Sequence, residues 1–193
     1  MLMRIWITPD TAIIPFRDES LAFLRANPSS AMAVHWCMIS AAYPFWFNVA
    51  HQTGRLLSLQ DQVTQAQIIT RLREQYGDRQ TVSRYGRYSL RSFVAWGVLC
   101  DVANKGCYER TAPLVIADLA LAALILESAL LAIPTGKGQL ALLLNHPAFF
   151  PLNLPTMTGD AVSQRSERID VIRYGPDDEI LTLKATHSVM RQK

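Results

Sequence analysis

The chain has 193 residues, 50% of them apolar and 18% charged, with a formal net charge of +3 and a sequence pI near 8.9. That length and apolar content exclude a disordered chain and suffice for one sizeable core or two small domains. The modest positive charge is compatible with a polyanionic partner and excludes a histone-like polycation.

Cys37, Cys100 and Cys107 form no Cys-x-x-Cys pair and have no histidine at zinc-ligand spacing, so they read as reduced thiols of a cytosolic protein. A contact between Cys100 and Cys107 across a hairpin is the minor alternative. The N-terminal Met1-Leu2-Met3-Arg4-Ile5-Trp6 lacks the apolar core and cleavage site of a secretory signal, which makes export unexpected.

Residues 10 to 60 read as helical. Asp18-Glu19-Ser20 leads into Leu21, Phe23 and Leu24. Asn27-Pro28-Ser29-Ser30 then breaks the chain and supplies a cap for a helix bearing Met32, Val34, Trp36, Cys37 and Ile39. Pro44 marks the next break, and Phe45, Trp46, Phe47 and Val49 suggest a helix ending before Gly54, with Leu56, Leu57 and Leu59 continuing from it. The aromatic cluster of Tyr43, Phe45, Trp46 and Phe47 reads as core, the other reading being a platform on which bases stack.

A helix is predicted from about Thr64 to Tyr76, because Ile68, Ile69 and Leu72 share one face while Arg71, Arg73, Glu74 and Gln75 face away. Gly77-Asp78 stops it. Thr81 is suited to cap a second helix, with Val82, Ser89, Leu90, Phe93 and Val94 on the buried side and Ser83, Arg84, Arg87, Tyr88 and Arg91 on the outer one. Gly97 ends that helix. Two short strands follow, residues 98–102 and 108–111, joined through Asn104-Lys105-Gly106, whose Asn and Gly tolerate a left-handed backbone. Helix, turn, arginine-bearing helix and ribbon is the order of a winged helix-turn-helix. In such folds the second helix enters the major groove and the wing meets phosphates. Residues 70 to 91 hold six arginines against one glutamate and one aspartate, a local charge of +4, so the positive excess is concentrated there. The expected DNA contacts are Arg79, Thr81, Ser83, Arg84, Arg87, Tyr88, Arg91 and Lys105. A solvated face, or one that docks a protein or RNA, is the competing reading.

Ala112 to Pro134 is strongly apolar, yet Asp118 and Glu127 would each cost roughly 2–3 kcal/mol near a bilayer centre, so a buried helix is expected rather than a membrane span. Pro134-Thr135-Gly136-Lys137-Gly138 reads as a linker. A second unit beyond it comprises a short apolar helix at Leu140 to Leu144, another opened by Thr158-Gly159-Asp160, and a hairpin of residues 168–174 and 180–184 around an acidic turn, Asp177-Asp178-Glu179. That turn would repel phosphates, leaving Arg165, Arg168 and Arg173 as backbone contacts to consider.

Sites of bond-making chemistry are missing from the sequence. His35, His51, His146 and His187 are scattered, no nucleophile is flanked by glycines, and Gly136-Lys137-Gly138 lacks the spacing of a phosphate loop. A non-enzymatic protein needing no metal or cofactor is expected, with no membrane or small-molecule partner.

Tyr76-Gly77-Asp78-Arg79-Gln80-Thr81-Val82, followed by Leu90-Arg91-Ser92-Phe93-Val94-Ala95-Trp96-Gly97-Val98-Leu99, resembles the BrxA family of bacterial BREX phage-defence systems. Asn27-Pro28-Ser29, Tyr43-Pro44-Phe45 and Arg173-Tyr174-Gly175 extend the likeness over most of the chain. The resemblance implies a small, helix-rich, non-enzymatic DNA-binding component that works with other defence proteins. A NusB-like RNA-binding helical fold is also compatible. The expected architecture is mainly α with small β-hairpins. A helical unit, residues 1–134, contains the winged helix-turn-helix at about 62–115, and a helix-plus-hairpin unit that can be read as a second winged helix spans 135–193.

Overall fold

The computed structural model describes residues 3–102, 105–175 and 178–184. Within them the chain is mainly helical with small sheets, as expected. A π turn, Met3–Ile7, precedes a 3₁₀ turn, Thr11–Ile13, capped by Asp10, whose Oδ1 accepts from the Ala12 amide at 3.0 Å. Helices α1 (Ile14–Ala26), α2 (Ala31–Ala42) and α3 (Pro44–Leu57) follow. The breaks fall where the prolines place them. Asn27 and Tyr43, each before a proline, leave the helical region at φ −132° and −134°, while each proline sits in a first turn, where no amide hydrogen is needed.

Next come β1 (Gln62–Thr64), α4 (Gln65–Tyr76), α5 (Gln80–Ala95), β2 (Leu99–Asp101) and β3 (Cys107–Arg110), forming an antiparallel sheet of order β1-β3-β2. The sequence predicts only the β2 and β3 strands. At three residues β1 is too short to show an alternation, and β3 defines it through the pairs Gln62 to Glu109, Val63 to Tyr108 and Thr64 to Cys107. Thr64 also caps α4, its Oγ1 accepting from the Gln67 amide at 3.1 Å while Gln67 Oε1 accepts from the Thr64 amide at 2.8 Å. Gly77 stops α4 at φ 83°. Of the hairpin turn, Asn104 lies outside the described residues. Cys100 faces Glu109 and Cys107 faces Thr64, so the two thiols are not opposed, and all three cysteines are free.

The remaining elements are β4 (Leu114–Val115), α6 (Leu119–Ala132), β5 (Lys137–Gln139), α7 (Leu140–Leu144), β6 (Leu152–Asn153), α8 (Gly159–Ser163), β7 (Ile169–Arg173) and β8 (Glu179–Leu183). The expected linker is partly a strand. Lys137–Gln139 pairs with β8, and the sheet order is β5-β8-β7. Strand, two helices and a hairpin, with strands in the order first, third, second, therefore occur twice. Sequence predicts the second hairpin well, although Asp177 in its turn and His187 beyond it lie outside the described residues.

Helices α2 and α6 form the centre. Both carry apolar residues around their whole circumference and are almost wholly buried, which is how an interior helix differs from a surface one, with Glu127 of α6 the buried charge between them and the second hairpin. Of the apolar run at Ala112 to Pro134, Leu119–Ala132 is the expected core helix, whereas Leu114 and Val115 before it form the exposed strand β4; none of the described helices is long and apolar enough to cross a membrane. Asp118 caps α6 by accepting from the amides of Ala120 and Leu121. An aromatic cluster joins α2, α3 and α5. The rings of Trp36 and Trp46 lie 4.5 Å apart, with Phe93 and Phe150 against Trp36, and Trp36 Nε1 donates to the Ala148 carbonyl at 3.2 Å.

Candidate nucleic-acid interface

Along α5 the chain turns about 100° per residue, so Val82, Gly86, Leu90 and Phe93 fall on one side and are buried. Gly86 sets how closely α5 approaches α4. A Cβ there would lie 2.6 Å from Ile69 Cδ1. Anchored in this way, the helix turns Arg84, Arg87, Tyr88 and Arg91 to water, as the sequence predicts.

Three of the expected site residues differ from expectation. The helix starts at Gln80, with Arg79 as its N-cap in extended backbone and no side-chain cap, so Thr81 sits exposed in the first turn and caps nothing. Ser83 is buried rather than outward, because it stands three residues before Gly86 and seven before Leu90 on the anchored side. Its Oγ accepts from Arg73 Nε at 3.0 Å. Arg91 is exposed but occupied. Its Nη1 donates to both Asp101 carboxylate oxygens, at 2.9 and 2.8 Å, and that bond holds the guanidinium pKa above its ordinary value. Val94, expected in the core, is half-buried.

Removing Arg91 leaves a smaller set of cations. Arg73 pairs with Asp78 at 3.1 Å, whereas none of the ion pairs among the described residues involves Arg79, Arg84, Arg87 or Lys105. Arg84 and Arg87, with Arg73, Gln80, Thr81 and Ser83, line a cleft of about 340 Å³ at the start of α5. A guanidinium presents a planar fork of donors, which grips two phosphate oxygens or the O6 and N7 of guanine. Lys105 is exposed beside the β2–β3 turn.

Among the described residues the second unit offers no comparable stripe. Arg168 bonds Glu127, at 2.5 Å from its Nε, and Glu19. Burial works against its charge, but the two carboxylates outweigh that and raise its pKa. Arg173 is held by Asp160 and by Glu179 at 3.1 Å. Arg165 donates to the Ala161 carbonyl at 2.8 Å. Its second helix, α8, has only five residues, and Asp178 accepts from Gln139 at 2.9 Å. Arg168, partly buried, and Arg173, at the surface, are therefore both engaged by carboxylates of the chain rather than free for phosphate.

One outward residue escapes the sequence reading. Tyr85 is 52% exposed and Tyr88 62%, and both border a cavity of about 570 Å³ with Tyr43, Phe45, Trp46, Ser89 and Ser92. The spacing Tyr85, Tyr88, Ser92 is its sequence signal, a second stripe beside the arginines. Of the aromatic cluster assigned to the core, Trp46 and Phe47 are buried, whereas Tyr43 and Phe45 are only partly so. Groupings of His, Cys, Asp or Glu that could hold a metal are absent among the described residues.

Compared with known proteins, the chain matches no family model, no curated protein and no solved structure.

Proposed function

We propose that the chain is a winged helix-turn-helix protein that binds duplex DNA, with α5 as the helix that enters the major groove and the β2–β3 hairpin as the wing. The order β1-α4-α5-β2-β3, with the first strand added beside the third, supports that reading of the fold. One observation carries the function. Arg79, Arg84 and Arg87 lack carboxylate partners among the described residues and project from a helix whose other side is fixed by Leu90 and Phe93. Unpaired guanidiniums on a rigid support are what a polyanion can neutralise without first breaking an internal ion pair. Arg84 and Arg87 supply grooveward donors, Arg79 and Lys105 supply phosphate contacts, and Tyr88 packs on the backbone or a base edge.

In this reading the protein is a non-enzymatic cytoplasmic accessory of a BREX phage-defence system, as its likeness to the BrxA family suggests, and it works beside other defence proteins. Neither metal nor cofactor takes part. The second unit, whose Arg165, Arg168 and Arg173 bond to other groups of the chain, holds the scaffold together.

The test is a titration of random duplex at several salt concentrations. Replacing Arg84 and Arg87 together by alanine should weaken binding and reduce the slope of log affinity against log salt by about one unit per lost phosphate contact. An unchanged affinity and slope rejects the proposal. Competition with structured RNA separates DNA from RNA, and a wild-type protein that binds neither points to docking on an acidic protein.

A further inference from the structure

Two stripes run side by side along the exposed half of α5. Arg84, Arg87 and Arg91 form one, and Tyr85, Tyr88 and Ser92 form the other. Tyr88, four residues after Arg84, stands directly along the helix from it. Arg84 holds its guanidinium carbon 5.3 Å from the centre of the Tyr85 ring, so charge and aromatic surface meet at that point.

Behind the aromatic stripe lies the cavity of about 570 Å³ between the start of α3 and the middle of α5. Its walls are the rings of Tyr43, Phe45, Tyr85 and Tyr88, and Trp46 forms its floor. No carboxylate lines it. The hydroxyls at its base are oriented from within: Ser92 Oγ accepts from Trp46 Nε1 at 3.2 Å and donates to the Ser89 carbonyl at 2.6 Å, and Ser89 Oγ donates to the Tyr85 carbonyl at 3.0 Å. With their protons used, these lining hydroxyls can act toward a ligand only as acceptors, so an edge with N–H donors suits them.

We infer that this cavity receives a single unstacked nucleobase from the nucleic acid gripped by Arg84 and Arg87. The inference rests on the proposed nucleic-acid role and narrows its substrate to duplex with an extrahelical or unpaired base. A base has flat faces that stack on tyrosine and phenylalanine and an amino-bearing edge that donates to serine oxygens. It is tethered to a phosphate, which the neighbouring guanidiniums neutralise. The lack of any acid in the lining matches an anionic strand and disfavours a cationic ligand. A greasy protein side chain would use the rings but not the adjacent guanidiniums.

The experiment uses the full chain and a short duplex carrying 2-aminopurine, either paired with thymine or as a one-base bulge, with binding read by anisotropy and stacking by quenching. The bulged duplex should bind about tenfold tighter than the paired one, the effect of stacking one base on aromatic side chains, with strong quenching of the probe. Tyr43→Ala combined with Tyr85→Ala should abolish the preference and the quenching while paired-duplex affinity and salt slope persist. Tyr85→Ala alone, at an exposed position, should lower both in a protein that folds normally. Equal affinity for the two duplexes with an unquenched probe, alongside salt-dependent duplex binding, overturns the base pocket and leaves the DNA-binding reading standing. Failure to bind either duplex removes both.

Discussion

His51 Nδ1 lies 3.3 Å from His146 Nε2, joining α3 to the turn after α7 across 95 residues of sequence. The second nitrogen of His146 decides the tautomers. Its Nδ1 accepts from the Ala148 amide at 3.2 Å, so its proton is on Nε2 and is donated to His51. Both rings are therefore neutral in the fold. Burial, and then the nearness of His51, lowers the pKa of His146 to about 4; burial, and then Arg55, lowers that of His51.

A base whose pKa falls on folding binds protons more readily when unfolded. Stability conferred by the neutral pair is complete above about pH 6.5, the unfolded value, and declines as pH drops toward the folded value near 4. Urea unfolding at pH 7.5, 6, 5 and 4 should show losses of up to about 3 kcal/mol from His146 alone. His146→Asn, which can still accept from the Ala148 amide, should flatten that dependence. A wild-type profile that is level between pH 6.5 and 4.5 would contradict the assignment.

Gly54 and Gly86 both stand in helices against close neighbours, but the neighbours differ. A Cβ at Gly54 would meet the Pro147 carbonyl oxygen at 1.9 Å, which is backbone, whereas one at Gly86 would meet the far end of the Ile69 side chain at 2.6 Å. Gly54→Ala should cost about 3 kcal/mol or more as α3 and the Pro147 turn are forced apart. Gly86→Ala regains about 1 kcal/mol of helix propensity, and Ile69 can rotate, so its net effect should stay within about 1 kcal/mol of wild type. Comparable losses for the two variants would show that α3 and the turn yield more easily than their contact suggests.

Arg168 neutralises Glu127, which is fully buried in the middle of α6 and otherwise accepts from Ser166 Oγ at 2.9 Å. Arg168→Ala should destabilise by about 3–5 kcal/mol, because it strands a buried carboxylate. Adding Glu127→Leu to that variant should restore much of the loss. Additive costs in the double mutant would mean that the pair is not coupled.

Asp101 holds Arg91 away from any outside phosphate. Asp101→Ala should free that guanidinium, strengthen duplex binding and steepen the salt slope by about one unit. Arg91→Ala should by contrast change the slope little. The reverse ranking, with Arg91→Ala crippling binding, would show that the Asp101 pair opens on DNA.

Thr64→Ala removes the cap of α4 and should cost about 1 kcal/mol, since Gln67 cannot satisfy its own amide. A calorimetric melt that is unchanged would locate the start of α4 elsewhere.

Helix breaks and the apolar side of α5 are legible in the sequence, because they depend on neighbours within one or two turns: Pro28 and Pro44 as breaks, Gly77 as a stop, and Leu90 and Phe93 at helical spacing. The end of α3 is not, since Gly54, expected beyond the helix, lies inside it against the Pro147 turn and the helix runs on to Leu57. The amphipathic character of α5 and the predominantly apolar character of α6, interrupted by Glu127 and Ser128, are likewise local patterns. A serine carries no side preference of its own; Ser83 is placed inside by its helical spacing to Gly86 and Leu90 and by the closeness of α4, under Arg73.

What tertiary structure alone decided is which charges remain available. Arg91 and Arg84 look alike in sequence, but the register of β2 brings the Asp101 carboxylate to the first, whereas no carboxylate among the described residues pairs with the second. The strands β1 and β5 are too short to announce themselves, and each exists through its pairing with a distant hairpin. Helical periodicity is written in the chain because the backbone repeats every 3.6 residues. Ion pairing and cavities are set by distances between segments far apart in sequence, and those distances exist only once the core has closed.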